Sequence, residues 1–99
     1  MKILLVCAGG MSTGLLMKKM EAYWAEQGEE LTINAVGLSE YGDVYKDYDI
    51  ILVGPQVSYR LKEIKTTTGL PADTIPSFDY AVANCPNIMK LAKKLMAQK

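Results

Sequence analysis

The chain of 99 residues contains no histidine. That absence removes Ser-His and Cys-His relays and most zinc sites, because each needs an imidazole. Arginine is nearly absent too: Arg60 is the sole guanidinium, so a bidentate clamp on phosphate or carboxylate has one possible source. No apolar run approaches the roughly 20 residues needed to span a bilayer, so no membrane insertion is expected. The opening "MKILLVC" looks superficially like a lipoprotein leader, but its apolar part is shorter than a signal core, and a mature cytoplasmic N-terminus is expected. Eleven basic residues balance eleven acidic ones, without the basic excess that marks a nucleic-acid binder. Two cysteines in a short chain with no leader are expected as free thiols. At this length the chain is expected to form a single domain, residues 1–99.

What is present is a rhythm of buried strands and amphipathic helices. Residues 2–7, "KILLVC", form an almost unbroken apolar run, as a strand covered on both faces would. From Leu15 the period changes: Leu16, Met20 and Tyr23 or Trp24 share one helical face, and Gly28 is placed to end the helix. "LTINAV" (31–36) alternates as a strand, and the acidic, turn-rich 37–49 reads as loop with a short helical turn. "DIILV" (49–53) is a second fully apolar strand, stopped by Gly54-Pro55. A helix with Val57, Leu61 and Ile64 on one face follows, then a weak strand in "PADTIPS", then a final helix with Pro86 near its start. Lys90, Lys93, Lys94 and Lys99 near the chain end suit a helix C-terminus. The order β-α-β-β-α-β-α predicts an α/β fold: a small four-stranded parallel sheet in order 2-1-3-4 with helices on both faces.

In that order the ligand crevice opens between the first and third strands, at their carboxyl ends. Cys7 ends the first strand and Gly54-Pro55-Gln56 ends the third, so both belong to the crevice. After Cys7, Ala8, Gly9, Gly10, Met11, Ser12 and Thr13 lead into the first helix. Two glycines permit backbone N–H groups to converge, the helix N-terminus adds positive potential, and the two hydroxyls add donors. Such an anion cradle also favours a thiolate, so a nucleophilic sulfur among phosphate-binding amides points to a phosphocysteine. The simpler reading is a small buried hydrophobe ending a strand. The loop is neither a Walker A sequence nor a C-x-x-C redox pair, and G-x-G-x-x-G is missing. Cys85, at the start of the last helix, lacks a glycine-rich cradle; the dipole there favours a thiolate, but a capping or packing role is expected.

A cysteine loop followed by arginine marks the low-molecular-weight tyrosine phosphatases. Here no arginine lies in the loop, so the cradle lacks the cation that stabilises a hydrolytic transition state. A small cysteine-dependent phosphatase of that fold is the alternative, and a phosphate-sensing module that never transfers the group is a third possibility.

"CAGGMSTGLLMKKM" (7–20) and "ILVGPQVSYRLKEI" (51–64) together resemble the IIB components of the bacterial sugar phosphotransferase system, in the lactose/cellobiose (diacetylchitobiose) family. The resemblance covers nearly the whole chain. It implies a phosphotransferase subunit in which Cys7 takes a phosphoryl group from a phosphohistidine on a IIA partner. The group then passes to a cellobiose-, chitobiose- or lactose-type sugar held by the membrane component IIC. It implies residues 8–13 as the phosphate loop, Gln56 as a supporting group across the crevice, no cofactor and no metal. It also implies a cytoplasmic protein that meets the inner face of the membrane through IIC. Met11, Leu15 and Met17 are expected to form an uncharged rim suited to transient docking, with burial in the core an equal alternative for Leu15. The chain departs from the commonest family pattern in its glycine-rich Ala8-Gly9-Gly10, in Gly14, and in "PSFDYAVANCPNI" (76–88).

Overall fold

The computed structural model describes residues 1–8 and 12–99. Four strands, β1 (Lys2–Val6), β2 (Thr32–Val36), β3 (Ile50–Val53) and β4 (Ala72–Thr74), pair in parallel in the order β2-β1-β3-β4. The register is level at the carboxyl edge: Val6 stands opposite Val36 on one side and Val53 on the other, and Val53 opposite Thr74. The expected topology is therefore observed. Unbroken apolar runs made it legible, because β1 and β3 are covered on both faces and lack a polar side.

Alternate strand residues feed two cores. Ile3, Leu5, Ile33, Ile50 and Leu52 pack against α1 (Ser12–Glu26) and α5 (Cys85–Ala97). Leu16, Met20 and Trp24 supply the α1 stripe; Ile88, Ala92 and Leu95 supply that of α5. On the opposite face, Leu4, Val6, Ile51 and Val53 meet Tyr41 of α2 (Tyr41–Val44), Val57, and Ile64 of α3 (Leu61–Thr68). Trp24 is wholly buried, and its indole N–H is a buried side-chain donor with no partner. An unmade buried hydrogen bond of this kind costs about 1–3 kcal/mol, which the burial of the ring outweighs.

The structure adds elements and shifts boundaries. Helix α1 begins at Ser12, ahead of the change of period at Leu15, so Ser12 and Thr13 lie within its first turn. The stretch after β2 carries α2 and a single 3-10 turn, Tyr45–Asp47. Between β3 and α3 runs a 3-10 segment, Pro55–Arg60, broken at Val57 (φ −121°, ψ 23°), whose side chain is buried. Gly69 then closes α3 with φ +68°, a left-handed cap that glycine adopts without strain. Helix α4 (Ser77–Val82) is an element additional to the expected order. It is six residues long and its large apolar side chains Phe78 and Val82 face solvent, so it writes no amphipathic stripe into the sequence. Asn84 caps α5, its side-chain oxygen accepting from the Asn87 N–H at 3.3 Å.

Candidate phosphate-acceptor site

Cys7 follows β1 directly but remains tied to the sheet. Its backbone N–H donates to the Val36 carbonyl at 3.0 Å, and its Sγ lies 3.8 Å from the same oxygen. On the neighbouring strand Gly54 N–H donates to the Val6 carbonyl at 2.8 Å. The last rungs of two ladders thus hold both residues at the mouth of the β1/β3 crevice. Cys7 is buried, with 3% of its surface exposed, so a reacting group has to come to it through the crevice.

Gly54 sets the width of that crevice. A Cβ at this position would lie 3.4 Å from Cys7 Cβ and 3.1 Å from Gln56 Oε1. The Gln56 carboxamide therefore folds back toward the point where residues 54 and 7 meet, while the residue itself stays exposed. Ala8 is exposed, and Thr13, in the first turn of α1, is buried and engaged in an interaction. Gly9, Gly10 and Met11 of the expected phosphate loop lie outside the described residues, as does the Ser12 side chain.

This crevice belongs to a chain with recognisable relatives. A family model described as "PTS system, Lactose/Cellobiose specific IIB subunit" matches residues 2–97. The chain belongs to that family. It is 35% identical to the oligo-beta-mannoside-specific EIIB component of Bacillus subtilis (strain 168), over 96% of this chain and 95% of the relative. The solution structure of the cellobiose-specific phosphotransferase IIB component from Borrelia burgdorferi superposes with a TM-score of 0.83 at 33% identity, covering 100% of this chain and 94% of that one. A lactose-specific EIICB component of Staphylococcus epidermidis shares 33% identity over 67% of this chain, which is 11% of that longer relative. The chain is thus a sugar-specific IIB component of lactose/cellobiose type, a phosphotransferase by family.

In this IIB chain the single arginine is committed away from the thiol. Arg60 Nε and Nη2 both donate to Glu63 Oε2, at 3.1 and 2.5 Å, and the Tyr41 hydroxyl donates to the same oxygen at 3.0 Å. The hydrogen bond to Glu63 raises the Arg60 pKa, and the bond from Arg60, then that from Tyr41, lowers the pKa of Glu63. Both groups stay charged together, pinning α3 to α2.

The second cysteine of the IIB chain is a core residue. Cys85 is buried in the α1/α5 core, and desolvation pushes its thiol above the ordinary value, outweighing the opposing effect of Lys19. Of the two expected roles, capping or packing, the structure assigns packing: the cap is Asn84, and Cys85 belongs to the apolar core, where burial outweighs any pull of the helix dipole toward a thiolate. Neither cysteine is in a disulfide.

Next to the crevice, α1 and α4 border a groove of about 800 Å³ lined by Leu15, Lys19, Gln56, Tyr80 and Val82. Leu15 is 62% exposed, as the rim reading required, whereas Met17 is partly buried against the α1/α5 core and belongs to packing. The α4 wall of this groove was invisible in the sequence for the same reason as α4 itself. Among the described residues no cluster of three or more metal-binding side chains occurs, and no helix is long and apolar enough to cross a membrane.

Proposed function

We propose that this chain acts as a single IIB domain, residues 1–99, that carries a phosphoryl group on Cys7. The Cys7 thiolate attacks the phosphorus of a phosphohistidine on a IIA protein. The S–P bond forms as the P–N bond breaks, and the electron pair returns to the imidazole. In the second step the hydroxyl of a sugar held by the membrane component IIC attacks the same phosphorus. The O–P bond forms, the thiolate leaves with its pair, and the hydroxyl proton passes to a base of the acceptor complex. Ala8, Gly9, Gly10, Met11, Ser12 and Thr13 form the cradle, whose amide donors and helix N-terminus stabilise the phosphoryl oxygens. Gln56 borders the same group from the β3 side. The protein works in the cytoplasm and meets the membrane through IIC.

The observation that carries this reading is the position of Cys7: a buried thiol at the carboxyl end of β1, beside Gly54 of β3, five residues before α1 begins, in a member of the IIB family. The chain itself has no histidine, which fits a donor on another polypeptide. The engagement of Arg60 with Glu63 and Tyr41 fits a carrier better than a phosphatase, which needs a cation at the phosphorus.

The test is a chase. Protein phosphorylated with phosphoenolpyruvate, the general phosphotransferase proteins and a IIA protein is mixed with IIC-containing membranes and a β-linked disaccharide. Loss of the phosphate-sized mass, matched by sugar phosphate, is the expected result. Release as inorganic phosphate at the same rate with and without sugar would assign the chain to hydrolysis instead.

A further inference from the structure

We propose that Gln56 is the neutral clamp of the transferred phosphoryl group: it orients the group through amide N–H donors and, by carrying no charge, keeps the phosphocysteine from hydrolysing. The inference rests on Cys7 being the acceptor, and adds a residue that controls the fate of the group.

Three observations lead there. First, the Gln56 carboxamide oxygen and Cys7 Cβ both come within contact distance of one point, the position a Cβ on Gly54 would occupy (3.1 and 3.4 Å). A carboxamide has an acceptor and two donors that exchange places by rotation, so either can be turned toward the Cys7 side of that point. Second, Gln56 is exposed and shared by two clefts, one running to Leu15, Lys19 and Val82, the other to Pro55, Ser77 and Tyr80. It therefore stands where these two clefts meet, beside the Gly54 end of the crevice. Third, neither cation near this region replaces it. Arg60 is held by Glu63. Lys19, the cation that lines the larger cleft, sits seven residues past Ser12, about 10 Å down the axis of α1 at 1.5 Å per residue.

The chemistry follows from charge. In hydrolysis a water oxygen bonds to phosphorus as the S–P bond breaks, the thiolate leaves with the electron pair, and the water proton passes to solvent. A cation at the phosphoryl oxygens favours that transition state; neutral donors hold the ground state with less assistance to it. Transfer to a partner recovers the missing stabilisation from groups the partner brings.

The experiment compares wild type, Q56R and Q56A. Each is loaded through phosphorylated IIA, freed of donor, and followed by intact mass in buffer without acceptor. Wild type should gain a phosphate-sized mass; failure to gain it would remove the acceptor reading itself, before Gln56 is at issue. Given loading, Q56R should lose its phosphate roughly tenfold faster or more. Q56A should load roughly tenfold more slowly at an unchanged melting temperature, because an exposed side chain contributes little to the fold. Loss from Q56R at the wild-type rate, or loading of Q56A at the wild-type rate, would overturn the proposal. A purely structural role for Gln56 would move the melting temperature and leave the hydrolysis rate of loaded protein alone.

Discussion

At the amino edge of the sheet, Asp49 accepts from the Lys2 backbone N–H at 3.0 Å and from the Lys99 ammonium at 2.5 Å, while Lys93 pairs with Glu29 at 2.7 Å. These contacts join β1, β3, the end of α1 and the end of α5, so this edge is closed by polar ties between distant parts of the chain. At the carboxyl edge the described residues show a different finish. Leu15, Tyr59, Phe78 and Val82, the large hydrophobic side chains left exposed, all lie in elements that begin there. The ion pair on this side, Arg60 with Glu63, stays within one turn of chain and reaches outward only to Tyr41. The contrast shows a division of labour within one small sheet. One edge ties distant parts of the chain together, while the other leaves apolar side chains exposed and holds a buried thiol beside Gly54.

Substitutions at three positions probe that division, from the largest effect downward. Trp24→Ala lies in the core that both edges share, and should cost about 3–5 kcal/mol in chemical denaturation. Trp24→Phe removes the unpartnered indole N–H as well but keeps an aromatic ring in the core, so it should cost far less. Equal losses for the two would mean that the ring Phe retains does not fill the space left by the indole. Gly54→Ala belongs to the carboxyl edge alone: its methyl would press on Gln56 Oε1 at 3.1 Å and touch Cys7 Cβ at 3.4 Å. Phosphate loading should fall roughly tenfold with little change in melting temperature, since glycine here has an ordinary extended backbone (φ −63°, ψ 143°). A stability loss with normal loading would place the strain in the fold and not in the site.

Asp49→Asn belongs to the amino edge and should be the mildest. Its carboxyl is lowered first by the hydrogen bond from Lys99 and then by that from the Lys2 backbone, below an ordinary value of 3.8. A carboxyl depressed in the folded state contributes stability that is present above pH 3.8 and is lost as pH falls through the folded-state pKa. The variant should therefore flatten the acid limb of the stability profile below about pH 4 and cost under ~1 kcal/mol at neutral pH, as exposed ion pairs do. Loading at Cys7 should not change. A large neutral-pH loss would show the amino edge to be more than a fastening.

Most of the framework was legible because the two central strands are buried on both faces. Runs such as "KILLV" and "IILV" admit few readings, and right-handed crossovers then leave one strand order. The helices that write stripes, α1 and α5, were legible for the same reason. What escaped was short or locally controlled. Helix α4 points its bulky side chains outward, and the segment from Pro55 to Arg60 is interrupted by the non-helical backbone of the buried Val57, so it carries no regular helical period. Within the site, Cys7 and Gln56 could be named from motif and topology. The contact geometry at Gly54 could not, because it depends on the register that brings Val6 level with Val53. Cys85 was legible as far as a capping or packing role; that it packs, with Asn84 as the cap, needed the tertiary structure.

The central claim is that Cys7 is the phosphoryl acceptor. The most direct measurement is to load the protein through phosphorylated IIA, digest it under conditions that preserve the S–P bond, and locate the added phosphate by fragment mass. The account predicts the phosphate on the fragment containing Cys7, none on the fragment containing Cys85, and none at all in Cys7→Ser. Phosphate on any other residue, or undiminished loading of Cys7→Ser, would contradict it.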